Sequence, residues 1–202
     1  MAGPAPEDAL GALTEQLRAE DSVISGRVRE TPEAPALGML VASGPRAAAA
    51  PGEYALLVES IREGYLLHYG SPRVVDASDR DLALLAGDYL YARGLERLAG
   101  LEDLEAVREL SDLISLVAQV YADGTGDGAE PLWLATVVAV AAGGGERHEG
   151  AKAALREERP DAPRELLDSA RVAATSAGIA GALTAAADSI GLALPDYPSG
   201  IG

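Results

Sequence analysis

General acid-base or metal chemistry needs carboxylates, imidazoles or hydroxyls gathered on one face or in one turn. The densest such group in this sequence is Asp76, Asp79 and Asp81. It could ligate magnesium, but its place just before a helix pattern assigns it to capping and solvation. Asp103 and Asp112 are too far apart along their helix to form a tight pair, and Glu105 with Glu109 reads as an outward i,i+4 pair. His68 and His148 are the only histidines, and neither has a partner at His-Glu-x-x-His spacing, so both read as core or rim residues. The serines lack a nucleophile elbow, SGPR and GTGDG lack the lysine of a phosphate loop, and GTGDGAE lacks the twelve-residue calcium pattern. No residue is therefore assigned as catalytic, cofactor-binding or metal-binding, and no cofactor is expected.

Asp88 is a separate case. In LLAGDYLYARGLERLAG, residues 84–100, it follows Gly87 and shares a helical face with Leu84, Tyr91 and Leu95. This predicts a half-buried carboxylate bonded across a helix interface, with Gly87 allowing close approach.

The elements that carry these residues are helical throughout. Apolar spacing of three to four predicts helices over 6–29, 37–43, 52–69, 78–100, 101–124, 131–142, 146–159 and 163–190. In the third, Tyr54, Leu57, Ile61, Tyr65 and His68 form the apolar face, with Glu59, Arg62 and Glu63 off it. In the fourth, Ser78 and Asp81 suggest a variant capping box. Trp133–Gly144 is apolar but too short to span a bilayer, so it reads as a buried helix. Ala170, Ala173, Ala177 and Ala180 make a stripe of small residues that suits close helix packing, more often within a domain than between chains. The expected architecture is all-α, a single-domain helical bundle, divided into an N-terminal helix and linker (1–50), a bundle core (51–192) and a tail (193–202).

Composition narrows the function. Among 202 residues, acidic side chains outnumber basic ones 32 to 16, and a charge of −16 repels a phosphate backbone, which argues against nucleic-acid binding. There is no cysteine, and Lys152 is the only lysine, so neither thiol chemistry nor a multi-lysine diphosphate clamp can be built. The opening residues lack a signal-peptide pattern, which predicts a cytoplasmic protein without a transmembrane segment.

Over residues 54–123 the chain resembles the trans-isoprenyl diphosphate synthases, the polyprenyl synthetase family. LALLAGDYLYARGLERLA is similar to that family's Gly-Asp helix, and Glu59, Ile61, Leu66 and His68 in LLVESIREGYLLHYGSPR match the helix leading into its first aspartate-rich motif. The motif itself is absent: Tyr69, Gly70 and Arg73 stand where its metal-binding aspartates belong, and the second motif has no counterpart. The resemblance therefore implies a truncated isoprenoid synthase fold that does not catalyse alone. It is closest to the short, aspartate-poor partners of two-component enzymes, such as the small component of heptaprenyl diphosphate synthases. The implied partner is a catalytic prenyl diphosphate synthase subunit, or a second copy, meeting Leu57, Ile61 and Tyr65 and contributing to the interface or chain-length pocket. Two other readings stand beside it: a helical protein holding an apolar or isoprenoid ligand, and a magnesium-dependent isoprenoid enzyme whose acids converge unexpectedly.

Overall fold

In the computed structural model, residues 3–122, 124 and 126–195 are described. They form nine α-helices and no strand, a single all-α bundle. These are α1 (Ala9–Ala19), α2 (Ala36–Ala42), α3 (Pro51–Tyr69), α4 (Arg80–Gly100), α5 (Leu104–Ala122), α6 (Ala129–Ala142), α7 (Gly145–Arg156), α8 (Ala162–Ser176) and α9 (Ala180–Ser189).

The centre of the molecule is α3, which lies between two apolar clusters. On one side, Leu57, Ile61 and Tyr65 join the main core with α2 and α5–α9; on the other, Leu56 and Leu67 meet Leu10, Leu13 and Leu17 of α1 and Ala86 and Leu90 of α4. Fourteen of its 19 residues are buried, so this helix has no solvent face. The amphipathic division expected for it therefore fails: Glu59, Arg62 and Glu63 are 0%, 7% and 0% exposed. Leu57 and Tyr65, expected as docking residues, are likewise inside. Within the segment expected as an N-terminal helix and linker, Leu10, Leu13, Leu17, Leu37, Leu40 and Val41 belong to these cores. Of the tail, 196–202 lie outside the described residues, as do 123 and, within GTGDGAE, 125.

Helix α4 packs closely against α3 through glycines. A Cβ on Gly87 would lie 2.6 Å from His68 Nε2, one on Gly94 would lie 2.5 Å from Ile61 Cγ1, and one on Gly64 would lie 3.0 Å from the Gly87 carbonyl. The loss of helix propensity at these glycines is offset by backbone approach.

Three boundaries depart from the expected pattern. The first helix ends at Ala19, Asp21 takes φ 52, and the chain then runs alongside residues 74–76, with Arg29 N donating to Val74 O (2.8 Å) and Asp76 N to Arg27 O (2.9 Å). Asp79, rather than Ser78, caps α4, accepting from the amides of Asp81 and Leu82. The long final helix is two, because Gly178 at φ 74 ends α8 while Ile179 N returns to Ala174 O (2.8 Å) and Gly178 N to Thr175 O (3.1 Å), a Schellman arrangement. Helix α6 is a buried helix as expected, with 12 of its 14 residues inside. The alanine stripe starts as an internal seam: Ala170 is buried and Ala173 and Ala177 pack on the main core, whereas Ala180 opens α9 at the surface.

Candidate functional site

Two adjacent turns of α3 carry carboxylates into the protein interior, where an uncompensated charge is strongly unfavourable. Arg73, from the segment after α3, bridges both: its Nη2 is 2.8 Å from Glu59 Oε2 and its Nε is 3.3 Å from Glu63 Oε2. Glu63 also accepts from the backbone amides of Arg73 (3.1 Å), Val74 (2.6 Å) and Val75 (3.1 Å). Glu59 accepts the Gly38 amide (2.7 Å), one of the first-turn donors of α2 that its helix leaves unsatisfied. Burial alone would lower the Arg73 pKa, but the two facing carboxylates reverse this and raise it. The three side chains form a fixed hub that ties α2, α3 and residues 73–75 together.

Beside the hub, Arg62 lies over the rings of Tyr65 (4.6 Å) and Trp133 (5.1 Å) and donates to Glu130 Oε1 (2.9 Å). Tyr65 also donates to Glu130 (3.2 Å) and shares a hydroxyl contact with Tyr121 (3.0 Å), while Tyr69 stacks on Tyr121 at 4.3 Å. Burial, then the Tyr121 bond and the Glu130 charge, push the Tyr65 phenol far up. These rings fill the junction of α3, α5 and α6.

A second ionic cluster joins α5 to α7. Lys152, 0% exposed, places its Nζ 2.8 Å from Glu109, 3.0 Å from Asp112 and 2.9 Å from Glu149; His148 Nε2 is 3.0 Å from Glu109. Burial works to raise the Glu109 carboxyl, but the His148 and Lys152 bonds and charges bring it down to about 2. Burial works to lower Lys152, and the three carboxylates raise it. Glu109 is therefore an interior residue, which corrects its reading as half of an outward pair; Glu105 is exposed and binds Arg46 (2.8 Å). Three carboxylates do converge here, but on an ammonium, and among the described residues no group of acids and histidines is suited to a metal ion.

The acids singled out by spacing do not assemble a site. Asp76 accepts from the Ser78 amide and hydroxyl (3.0 and 2.9 Å), Asp79 caps α4, and Asp81 is exposed in its first turn. Asp103 accepts from Tyr54 (2.6 Å), Arg46 (2.9 Å) and the Ala106 amide (3.0 Å). Asp88 corrects another expectation: its side chain is 73% exposed and touches His68 at 3.1 Å, while His68 stacks on Tyr91. The close approach belongs to Gly87, and the carboxylate lies largely in solvent while meeting His68 of α3 across the interface. His148 is in the core as expected, with its Nε2 against Glu109.

Sequence reasoning missed Glu63, Arg73 and Lys152 as a buried framework. One signal was present: a lone lysine four residues after His148 on a helix whose other cations are arginines. These features define a helical bundle with two internal ionic clusters and an aromatic centre. No protein-family model, curated protein or solved structure matches the chain. No helix among the described residues is long and apolar enough to cross a membrane.

Proposed function

We propose that the chain is a noncatalytic partner or regulatory subunit of a prenyl diphosphate synthase, contributing to its interface or chain-length pocket. The observation that carries this reading is the use made of the positions where the resembling family would hold metal. Tyr69 is stacked on Tyr121, and Arg73 is locked between Glu59 and Glu63. Ionising an allylic diphosphate requires metal ions or cations directed at the leaving group. Arg73 is directed at two carboxylates instead, and Tyr69 offers no ligand charge. The reading as an apolar-ligand carrier has less support, because Tyr65, Tyr69, Tyr121 and Trp133 occupy the bundle centre.

The test has two arms. Incubated with magnesium, farnesyl diphosphate and isopentenyl diphosphate, the isolated chain returns both substrates unchanged. Co-expressed with a catalytic prenyl diphosphate synthase subunit from the same cell, it forms a stable heteromer with an altered product length distribution. Turnover by the isolated chain at concentrations far below substrate, or failure of every such synthase to pair with it, overturns the proposal.

A further inference from the structure

Helix α4 has one face committed to the fold and one left open. Inward, Ala83, Ala86, Leu90 and Leu98 are buried. Two of its three arginines are also engaged, Arg93 with Glu20 and Arg97 with Glu53 (3.0 Å) and Gln16 (2.7 Å), while Arg80 is exposed at its first position. Outward, Asp81, Leu85, Asp88, Tyr89 and Glu96 are exposed at helical spacing, Leu85 at 58%. At 1.5 Å per residue, the stripe from Asp81 to Glu96 is about 22 Å long. Apolar side chains and carboxylates share this stripe; Arg93 and Arg97 flank its second half, their charges already met by Glu20 and Glu53. Alongside it is an open depression of about 610 Å³, lined by Tyr89, Ala92, Arg93, Glu96 and Arg97.

We propose that this outer face of α4 docks a different protein, through a helix that presents apolar side chains flanked by Lys or Arg. The charge pattern selects the occupant. A second copy would set Asp81, Asp88 and Glu96 against the same three carboxylates, in a chain already at −16, and like charges facing each other oppose pairing. A basic rim neutralises them while its apolar centre covers Leu85 and places a side chain in the depression. The inference rests on the partner-subunit reading and names the surface that reading requires.

The experiment uses the full chain with a catalytic prenyl diphosphate synthase as the probe, measuring association rate and Kd at low and high salt. Leu85→Glu should weaken binding at least about 10-fold, whereas Val172→Glu, at an exposed apolar position on α8, binds as wild type; both keep their helicity by circular dichroism. Asp81→Asn with Glu96→Gln should slow association about 10-fold at low salt and flatten its salt dependence. If wild type pairs but Leu85→Glu pairs equally well, the surface is wrong and the subunit reading stands. If wild type pairs with no synthase, the subunit reading falls and this surface falls with it. A wild-type homodimer abolished by Leu85→Glu would assign the stripe to self-association and overturn the heterologous occupant.

Discussion

Replacing Arg73 with methionine keeps much of the side-chain volume but removes the cation between Glu59 and Glu63. Glu63 retains three backbone amide donors, whereas Glu59 retains only the Gly38 amide, so Glu59 is left the more stranded. Hydrogen bonds to charged groups contribute ~1.5–3 kcal/mol each. One such bond, from Nε to Glu63 (3.3 Å), is lost together with the ion pair to Glu59 (2.8 Å). Breaking a buried ion pair from one side costs about 3–5 kcal/mol, and the same range is expected here at pH 7.5. Against a typical domain stability of about 5–15 kcal/mol, that is a large fraction. Urea unfolding followed by circular dichroism should show a lower midpoint with an unchanged slope. The deficit should narrow toward pH 5, where the stranded carboxyl can take up a proton. Adding Glu59→Gln to Arg73→Met should restore about 1 kcal/mol or more, because the less compensated of the two buried charges is then gone. A loss below about 1 kcal/mol, or one indifferent both to pH and to Glu59→Gln, would refute the hub as an electrostatic element.

The α5–α7 cluster predicts an acid response. Glu109 is held near 2 against an ordinary 4.5, so its contribution to stability is complete above about pH 4.5 and is lost as pH falls toward 2. Allowing for screening at the cluster's open edge, this contribution is about 1–2 kcal/mol. Wild type should exceed Glu109→Gln by that amount at pH 7, with the gap closing across that window in denaturation curves; a gap that widens on acidification has the wrong sign. Glycine substitutions separate packing from propensity. A Cβ on Gly44 would sit 2.3 Å from the Ala141 carbonyl oxygen, whereas Gly11 has open space. Gly44→Ala should therefore lower stability by about 1–3 kcal/mol and Gly11→Ala raise it by ~0.5–1 kcal/mol; thermal melts moving in the same direction for both would contradict the close approach at Gly44.

Most helices were legible because their apolar spacing survives in the fold, and α6 announced its burial by lacking any polar face. The interior charges were not legible. Period alone places Glu59, Arg62 and Glu63 on a solvent side, and nothing within α3 reveals that α2, α6 and residues 73–75 cover that side. Their partners come from elsewhere: Arg73 after the helix ends, and Glu130 from α6. Glu109 was hidden in the same way, since Lys152 lies on a helix separated from it by the whole of α6. The division between α8 and α9 was masked by alanines that keep their period across it, although Gly178 stood at the break. The resemblance drew attention to Gly87 and Asp88 as a pair, but the structure separates them, with the glycine serving packing and the aspartate facing outward.

The burial of Lys152 has a consequence for the chemistry of the chain's surface. It is the only lysine in these 202 residues, and its ammonium lies beneath Glu109, Asp112 and Glu149 with no exposure. A raised pKa also keeps it protonated, and a protonated amine is no nucleophile. In the folded state the chain therefore offers no side-chain amine to acyl donors, reducing sugars or ubiquitin-type conjugation. Separating α7 from α5 exposes that amine, so a covalent mark on Lys152 would record that the bundle had opened.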